Sequence, residues 1–304
     1  MKNANKVSRS FQHMILLCGC LLIYYSVSAR QHKPTESGYI AQKTQGIDSD
    51  YVLIFNSYSE SAPWCRSLVD STVMDLIKLS PQTMTVTQNL NSGLLRDEKA
   101  LAQLRQQVDV SYHDKPRMII YIGSTSWPFL HETIEKKWGK VPSIIFSDID
   151  YTGPIANLLR KTPIAPALRI PYDKIVKEYE GALSVVYMPI YLRQSLALMH
   201  QLTPPMTGLC FISDTRWISA QMRADMAAIT KTDFPELKVR YLISADMSTL
   251  DLLDSLQHYG QETGVLFFSW LKQSQVGDSF VNDSHFRIII SKSARQPLFV
   301  LNDN

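Results

Sequence analysis

The chain has 304 residues, of which 45% are hydrophobic and 19% are charged. This composition is too apolar for a disordered chain, and the length is enough for about two domains. The counts of 31 basic and 28 acidic residues give a net charge of +3, but the basic excess lies entirely in the first 29 positions. The remainder is neutral, which argues against a basic nucleic-acid-binding protein, and we expect no nucleic-acid partner.

The amino end has the three parts of a secretory signal. Three basic residues precede an uncharged run at 14–25, and small residues at 27–29 come before Arg30. Residues 1–29 are therefore predicted to be a signal peptide or signal anchor, and the protein is expected in the periplasm. Cleavage before Arg30, retention of 14–29 as an inner-membrane anchor, and lipidation within Cys18-Gly19-Cys20, which matches a lipobox poorly, stay open as alternatives.

Short apolar strands alternate with amphipathic helices in the next part of the chain. Residues 30–49 are polar and are predicted to be a linker. From 50 to 150, strands are predicted at 51–55, 84–87, 117–122 and 143–146, and helices at 62–79, 97–108 and 126–138. Runs such as Tyr51-Val52-Leu53-Ile54-Phe55 are apolar throughout, as in strands buried on both faces. The pattern predicts an N-terminal α/β lobe with a parallel sheet.

The alternation stops and then returns. Residues 151–187 are rich in proline and lack a long period, which predicts a crossover or hinge. From 188 to 275, strands are predicted at 208–212, 239–243 and 264–268, and helices at 192–202, 217–231 and 249–259. This is a C-terminal α/β lobe, and 276–304 is a return segment with one more element of the same kind. The expected fold class is α/β, with two Rossmann-like lobes whose parallel sheets are flanked by helices.

Hydroxyl, carboxylate and aromatic side chains follow the predicted strands. The carboxyl ends of parallel strands meet at one edge of a sheet, where such folds bind ligands. The candidate ligand-binding residues are Ser57, Tyr58, Trp64, Ser124, Ser147, Asp148, Asp214, Trp217 and Trp270. They suit a small polar organic ligand, because hydroxyls bind anionic or carbonyl oxygens, carboxylates accept from amines or sugar hydroxyls, and rings stack. The competing interpretation is that the serines and aspartates only cap helices, while the tryptophans pack in the core.

Catalytic and metal-binding motifs are missing from the sequence. There is no Gly-x-Ser-x-Gly, His-Glu-x-x-His or glycine-rich phosphate loop, and the seven histidines are scattered. We therefore expect a protein that is not an enzyme and has neither a cofactor nor a metal. Beyond the leader only Cys65 and Cys210 remain, and they are predicted to be buried thiols rather than a disulfide.

Four stretches resemble a known family. They are YVLIFNSYSESAPWCRSLVDSTV, MIIYIGSTSWPFL, VPSIIFSDID and GLCFISDTRWISAQMRADM. Over about residues 50–303 the chain is similar to the type I periplasmic-binding-protein fold of ABC-transporter substrate-binding-like proteins, in the version that forms the extracytoplasmic sensor of two-component histidine kinases. The resemblance implies that the nine candidate residues face a cleft that closes around a small metabolite, without chemistry.

The resemblance also implies partners. A sensor module would act through a membrane histidine kinase, and such domains often dimerise. In the family the chain returns to complete the first lobe and then crosses the membrane again, whereas this sequence ends at Asn304, so we expect a fragment or a truncated form with an incomplete C-terminus. The alternative is a free or lipid-anchored solute-binding protein of an ABC importer, with a permease as its partner. An enzyme is the least favoured interpretation.

Overall fold

The computed structural model describes residues 51–301, except for 61, 204, 275–276 and 281–282. The predicted leader at 1–29 and the linker at 30–49 lie outside the described residues, and so do the alternatives of cleavage, anchoring and lipidation. Of the helices that the structure describes, none has the length and apolar character that crossing a membrane requires.

The first lobe starts with a strand that is buried along its whole length. In chain order the lobe contains β1 (Tyr51–Asn56), α1 (Pro63–Leu79), β2 (Met84–Asn89), α2 (Glu98–Ser111), β3 (Met118–Ile122), α3 (Ser126–Trp138) and β4 (Ser143–Ser147). All residues of β1 are buried, as expected of a strand with helices on both faces. Helix α2 begins where the Asp97 carboxylate accepts the Ala100 backbone N–H at 2.8 Å. The alternation predicted for 50–150 is thus present.

The connecting part holds more regular structure than its proline content predicts. It contains β5 (Tyr151–Thr152), α4 (Ile155–Arg160), β6 (Ile170–Pro171), α5 (Tyr172–Glu178) and β7 (Leu183–Tyr187). Strands β5 and β6 pair with each other in an antiparallel way, and β7 pairs in parallel with β4. The carboxyl end of the predicted crossover or hinge at 151–187 is therefore not a connection, because β7 completes the first sheet.

The second lobe has the same kind of alternation. It contains α6 (Leu192–Leu202), β8 (Gly208–Ser213), α7 (Trp217–Asp233), β9 (Lys238–Ile243), α8 (Thr249–Gln257), β10 (Thr263–Phe267), β11 (Leu271–Ser274), β12 (Gly277–Phe280), α9 (Asp283–Ser293) and β13 (Leu298–Val300). Strands β11 and β12 form an antiparallel hairpin, and β13 pairs in parallel with β10. The segment predicted to return at 276–304 therefore adds its strand to the second sheet.

The two sheets share one strand order. The first reads β2-β1-β3-β4-β7 and the second β9-β8-β10-β13, with parallel pairing throughout. Numbered within each sheet, both orders are 2-1-3-4, with a fifth strand added to the first. The order reverses between the first and third of these strands, and the crevice outside their carboxyl ends is where doubly wound sheets bind ligands. The α/β fold with two parallel sheets, each flanked by helices, agrees with the prediction.

One continuous hydrophobic cluster connects the lobes. Leu53 and Phe55 of β1 belong to it together with Leu209 and Phe211 of β8. The residues between them in each strand face a different cluster on the other side of the sheet, as the strand period of two requires. Leu158 of α4 belongs to the shared cluster as well, so the connecting part helps to pack the lobes together.

Both remaining cysteines are buried and neither forms a disulfide, which confirms the prediction. Cys65 lies in α1 of the first lobe and Cys210 in β8 of the second. Burial raises the pKa of the Cys210 thiol to about 12 and that of Cys65 well above its usual range. The thiols are therefore protonated at neutral pH and unreactive as nucleophiles.

Candidate functional site

The carboxyl ends of β1 and β3 approach each other closely. The Ser57 backbone N–H donates to the Ile122 carbonyl at 2.8 Å, and the Ser57 hydroxyl accepts the Ser126 backbone N–H at 2.9 Å. Gly123 has a φ of +86°, and a Cβ at this position would lie 2.8 Å from the Ser57 side chain. Ser57 is fully buried and holds the first turn of α3 against the end of β1.

A cleft lies between these strand ends and the beginning of α7 in the second lobe. Its polar lining consists of Tyr58, Ser92, Ser124, Thr125, Lys161 and Arg216. Leu158, Trp217 and Ile218 form its apolar wall. The free space between these side chains is about that of one water molecule. The cleft is closed in this conformation, and a metabolite would enter only if the lining or the lobes moved apart.

Arg216 brings a positive charge from the second lobe to the strand ends of the first. Its backbone N–H and its Nε donate to the Asp214 carboxylate at 2.9 and 2.8 Å, and the guanidinium lies 5.1 Å from the centre of the Tyr58 ring. Burial alone would lower the pKa of Arg216, but the charge of Asp214 raises it, and the net pKa lies above the usual value. Arg216 therefore remains charged where the lobes meet.

The Asp214 carboxylate orients this arginine. The carboxylate is fully buried, and besides Arg216 it accepts the Ser219 hydroxyl at 2.6 Å. Arg223 donates to the Asp214 backbone carbonyl at 2.7 Å and to the Ser213 hydroxyl at 2.9 Å. Asp214 thus orients the cation and fixes the end of β8, and it does not line the cleft itself.

Asp148 is partly buried at the end of β4, and it lies close enough to Arg216 for the two charges to interact. Burial raises the pKa of this carboxyl to about 6 from an ordinary 3.8, although Arg216 opposes the rise. Between these two pH values the folded state keeps a proton that the unfolded state has released. Rising pH therefore favours the unfolded state in this window, and the lost stability is complete above about pH 6.

Replacing Asp148 with asparagine should remove this loss. We expect Asp148→Asn to be more stable than the parent by about 2 kcal/mol above pH 6, a value reduced for partial exposure, and to gain little near pH 4. Urea unfolding of both proteins between about pH 4 and about pH 7 measures the difference. Asp150→Asn, at an exposed position two residues away, is the control. A gain that is the same at every pH, or equal in the control, would contradict the prediction.

The structure brings only some of the predicted site residues to the cleft. Tyr58, Ser124 and Trp217 line it, and the Trp217 Nε1 also donates to the Thr162 carbonyl at 3.0 Å. Ser147 lies at the end of β4 but is buried, and its hydroxyl accepts the Ile149 backbone N–H at 3.3 Å. Like Ser57, it stabilises a strand-end turn.

Two of the predicted tryptophans lie elsewhere. Trp64 is partly buried and packs against the cluster between α1 and β1. Trp270 is buried in the core of the second lobe, stacks on Phe286 at 6.2 Å and donates its Nε1 to the Thr249 hydroxyl at 3.1 Å. These are the packing roles that the competing interpretation expects, since position near a strand end does not determine where a ring points.

Four polar residues that line the cleft were not among the predicted site residues: Ser92, Thr125, Lys161 and Arg216. A usable signal existed for Arg216, because a buried aspartate needs a cation and the arginine is two residues from Asp214. Lys161 offered no signal. It has a φ of 56° at the end of α4, in the proline-rich part where no period guides the assignment.

Comparison with known proteins gives fold-level likenesses only. No protein-family model and no curated protein matches the chain. Among solved structures, a ligand-free, open substrate binding protein with adhesive properties from Clostridium difficile is 15% identical, with a TM-score of 0.43, and the match covers 83% of this chain and 74% of that one.

Two further solved structures are similar to the same degree. An ABC domain in complex with L-Trp from Streptococcus pneumonia is 13% identical over 82% of this chain and 72% of that one, with a TM-score of 0.43. A carbohydrate transporter solute binding protein from Agrobacterium radiobacter, in complex with D-arabinose, is 13% identical over 73% and 67%, with a TM-score of 0.41. These identities and scores are too low to assign the chain to a family.

Proposed function

We propose that this chain is an exported binding module whose two lobes close around a small polar organic ligand. The observation that carries the proposal is the position of the cleft. It lies outside the carboxyl ends of β1 and β3, where the strand order of the first sheet reverses, and the end of β8 supplies its other wall. Open α/β sheets bind small molecules at this position.

The composition of the lining supports a polar ligand. The lining combines hydroxyls and two cationic side chains with an apolar wall that includes the Trp217 ring. Such a mixture of an apolar wall with a few converging polar groups is typical of metabolite sites. Because the present cleft is closed, ligand exchange requires an opening motion, and the ligand would stabilise the closed state by its contacts to both lobes.

The module would act outside the cytoplasm. The basic, apolar and small-residue parts of the first 29 residues support export, with 14–29 cleaved or kept as an inner-membrane anchor. We favour a sensor that signals through a membrane histidine kinase, on the strength of the sequence resemblance. The alternative is a solute-binding protein that delivers its ligand to the permease of an ABC importer.

A thermal-shift screen tests the binding function. The purified protein is melted with amino acids, sugars, nucleobases and small organic acids, and we expect at least one compound to raise Tm in a saturable way, by an amount equivalent to about 2.7 kcal/mol at a hundredfold excess over Kd. Trp217→Phe, in the cleft wall, should at least halve the shift. Tyr191→Phe, at an exposed position outside the cleft, should leave the shift unchanged.

The outcomes are distinct. A shift that persists in Trp217→Phe would place binding outside the cleft and contradict the proposed site. If no compound shifts the Tm of the folded parent protein, the proposal of a metabolite-binding module is wrong, and an interaction with another protein becomes the better interpretation.

A further inference from the structure

Resting on the proposed function, we infer that the cleft recognises its ligand through a compact oxyanion group, a carboxylate or a phosphate, held by Ser124, Lys161 and Arg216. The first observation is the Ser124 hydroxyl. Its residue is 2% exposed and lines the cleft, yet Ser124 Oγ has no hydrogen bond of ordinary geometry among the described residues. Its contact with the Tyr58 hydroxyl is a weak hydrogen bond only: burial raises the pKa of Tyr58, and Ser124 opposes the rise.

An unsatisfied buried hydroxyl costs free energy unless something binds it. Ser124 comes directly before Thr125 and the first turn of α3, a helix of 13 residues whose amino end carries the positive end of the helix dipole. The Thr125 side chain does not cap this helix and donates instead to the Ser92 hydroxyl at 2.9 Å. A hydroxyl donor at a helix amino end is a favourable partner for an anionic oxygen.

The second observation is the charge of the lining. Lys161 and Arg216 come from different segments and meet at the same cleft. Each is held in place: the Lys161 ammonium donates to the Gly93 carbonyl at 2.6 Å, and Arg216 is oriented by the carboxylate of Asp214. Among the described residues that line the cleft there is no carboxylate. Asp214 balances part of this charge from outside the lining, and the lining itself presents only cationic and neutral groups to whatever occupies it.

The third observation is size. The space left between the side chains is about that of one water molecule, so the group that fits with the smallest movement is compact. An oxyanion that entered with a small widening of the cleft would accept hydrogen bonds from the Ser124 hydroxyl and from the two cations. Charge-assisted hydrogen bonds to carboxylate or phosphate are shorter and stronger than neutral ones. A neutral sugar hydroxyl would make only uncharged hydrogen bonds to the same groups, and an amine would be repelled by the two cations.

The test measures binding of inorganic phosphate, acetate and succinate by calorimetry, with sodium chloride added to keep ionic strength equal. We expect saturable binding of at least one probe, and the stronger arm identifies phosphate or carboxylate as the source of the oxyanion. Lys161→Asn keeps a residue that tolerates the left-handed backbone and should weaken binding about tenfold or more. Ser124→Ala should weaken it about tenfold, with unchanged or higher Tm of the unliganded protein, because it removes an unsatisfied hydroxyl.

Lys115→Asn, which removes an exposed loop lysine, is the matched control and should bind like the parent. No saturable binding of any of the three probes, or equal binding by the parent, Lys161→Asn and Ser124→Ala, overturns the inference. This failure differs from failure of the proposed function. A neutral metabolite that binds in the thermal-shift screen and depends on Trp217 would leave the binding module intact while excluding the oxyanion.

Discussion

Asp214→Ala should destabilise the protein by about 3–5 kcal/mol, the loss expected when a buried ion pair is broken by removal of one partner. The carboxylate is fully buried and accepts bonds from the Arg216 backbone N–H, from Arg216 Nε and from the Ser219 hydroxyl. Without it, the guanidinium, whose side chain is 13% exposed, would stay in the interior without its main counter-charge. Urea unfolding at neutral pH measures the loss.

Two variants separate the charge effect from the loss of a side chain. Asp70→Ala removes an exposed carboxylate from the Arg66–Asp70 pair in α1, and we expect a change of less than about 1 kcal/mol. Asp214→Ala combined with Arg216→Met removes both buried charges, and it should recover part of the stability lost in the single variant. If Asp214→Ala costs no more than Asp70→Ala, the buried pair does not contribute to the stability of the fold.

The sequence predicted the sheets well because buried parallel strands have a local signature. The apolar runs at 51–55 and 208–212 fall within β1 and β8, and the helices at 126–138 and 192–202 match the structure at both ends. The prediction was weakest at 151–187, because the short strands and helices there depend on tertiary pairing. The pairing of β7 with β4 joins residues about 40 positions apart, and no local pattern reveals such a contact.

The candidate site was predictable at the level of the strand end and not at the level of the side chain. Tyr58, Ser124 and Trp217 line the cleft, whereas Trp64 and Trp270 pack elsewhere. Alternation along a strand stops where the strand stops, so the direction of the residues that follow depends on the turn. The turn at Ser57 and Gly123 is set by contacts between two strands that are far apart in the chain.

The two lobes also contribute different chemical groups to the cleft, which the sequence alone does not show. The first lobe supplies hydroxyls at the ends of β1 and β3, and the second supplies the charge of Arg216 at the start of α7. Asp148 stands near that charge from the end of β4, with a pKa raised to about 6 mainly by burial.

Gly123→Ala should cost about 3 kcal/mol or more, because it combines backbone strain with a steric clash. At a φ of +86° an L-residue is strained, and the new Cβ would lie 2.8 Å from Ser57 Cβ and 3.0 Å from the Tyr58 ring. Gly181→Ala is the matched control, since its φ is +87° and nothing lies within 4 Å of its added Cβ. We expect this variant to lose only about 1 kcal/mol, the strain alone.

The difference between the two glycine variants in urea unfolding isolates the close approach of the β1 and β3 ends. Relief of the clash would push the Ser57 turn away from α3 and displace Ser124 from the cleft, so Gly123→Ala should also weaken binding of any ligand that Trp217 recognises. Gly181→Ala should bind normally, because its position is exposed and is not part of the cleft lining. If both substitutions destabilise the protein equally, the ends of β1 and β3 can move apart at no cost in free energy. The cleft is then not a rigid, preorganised site.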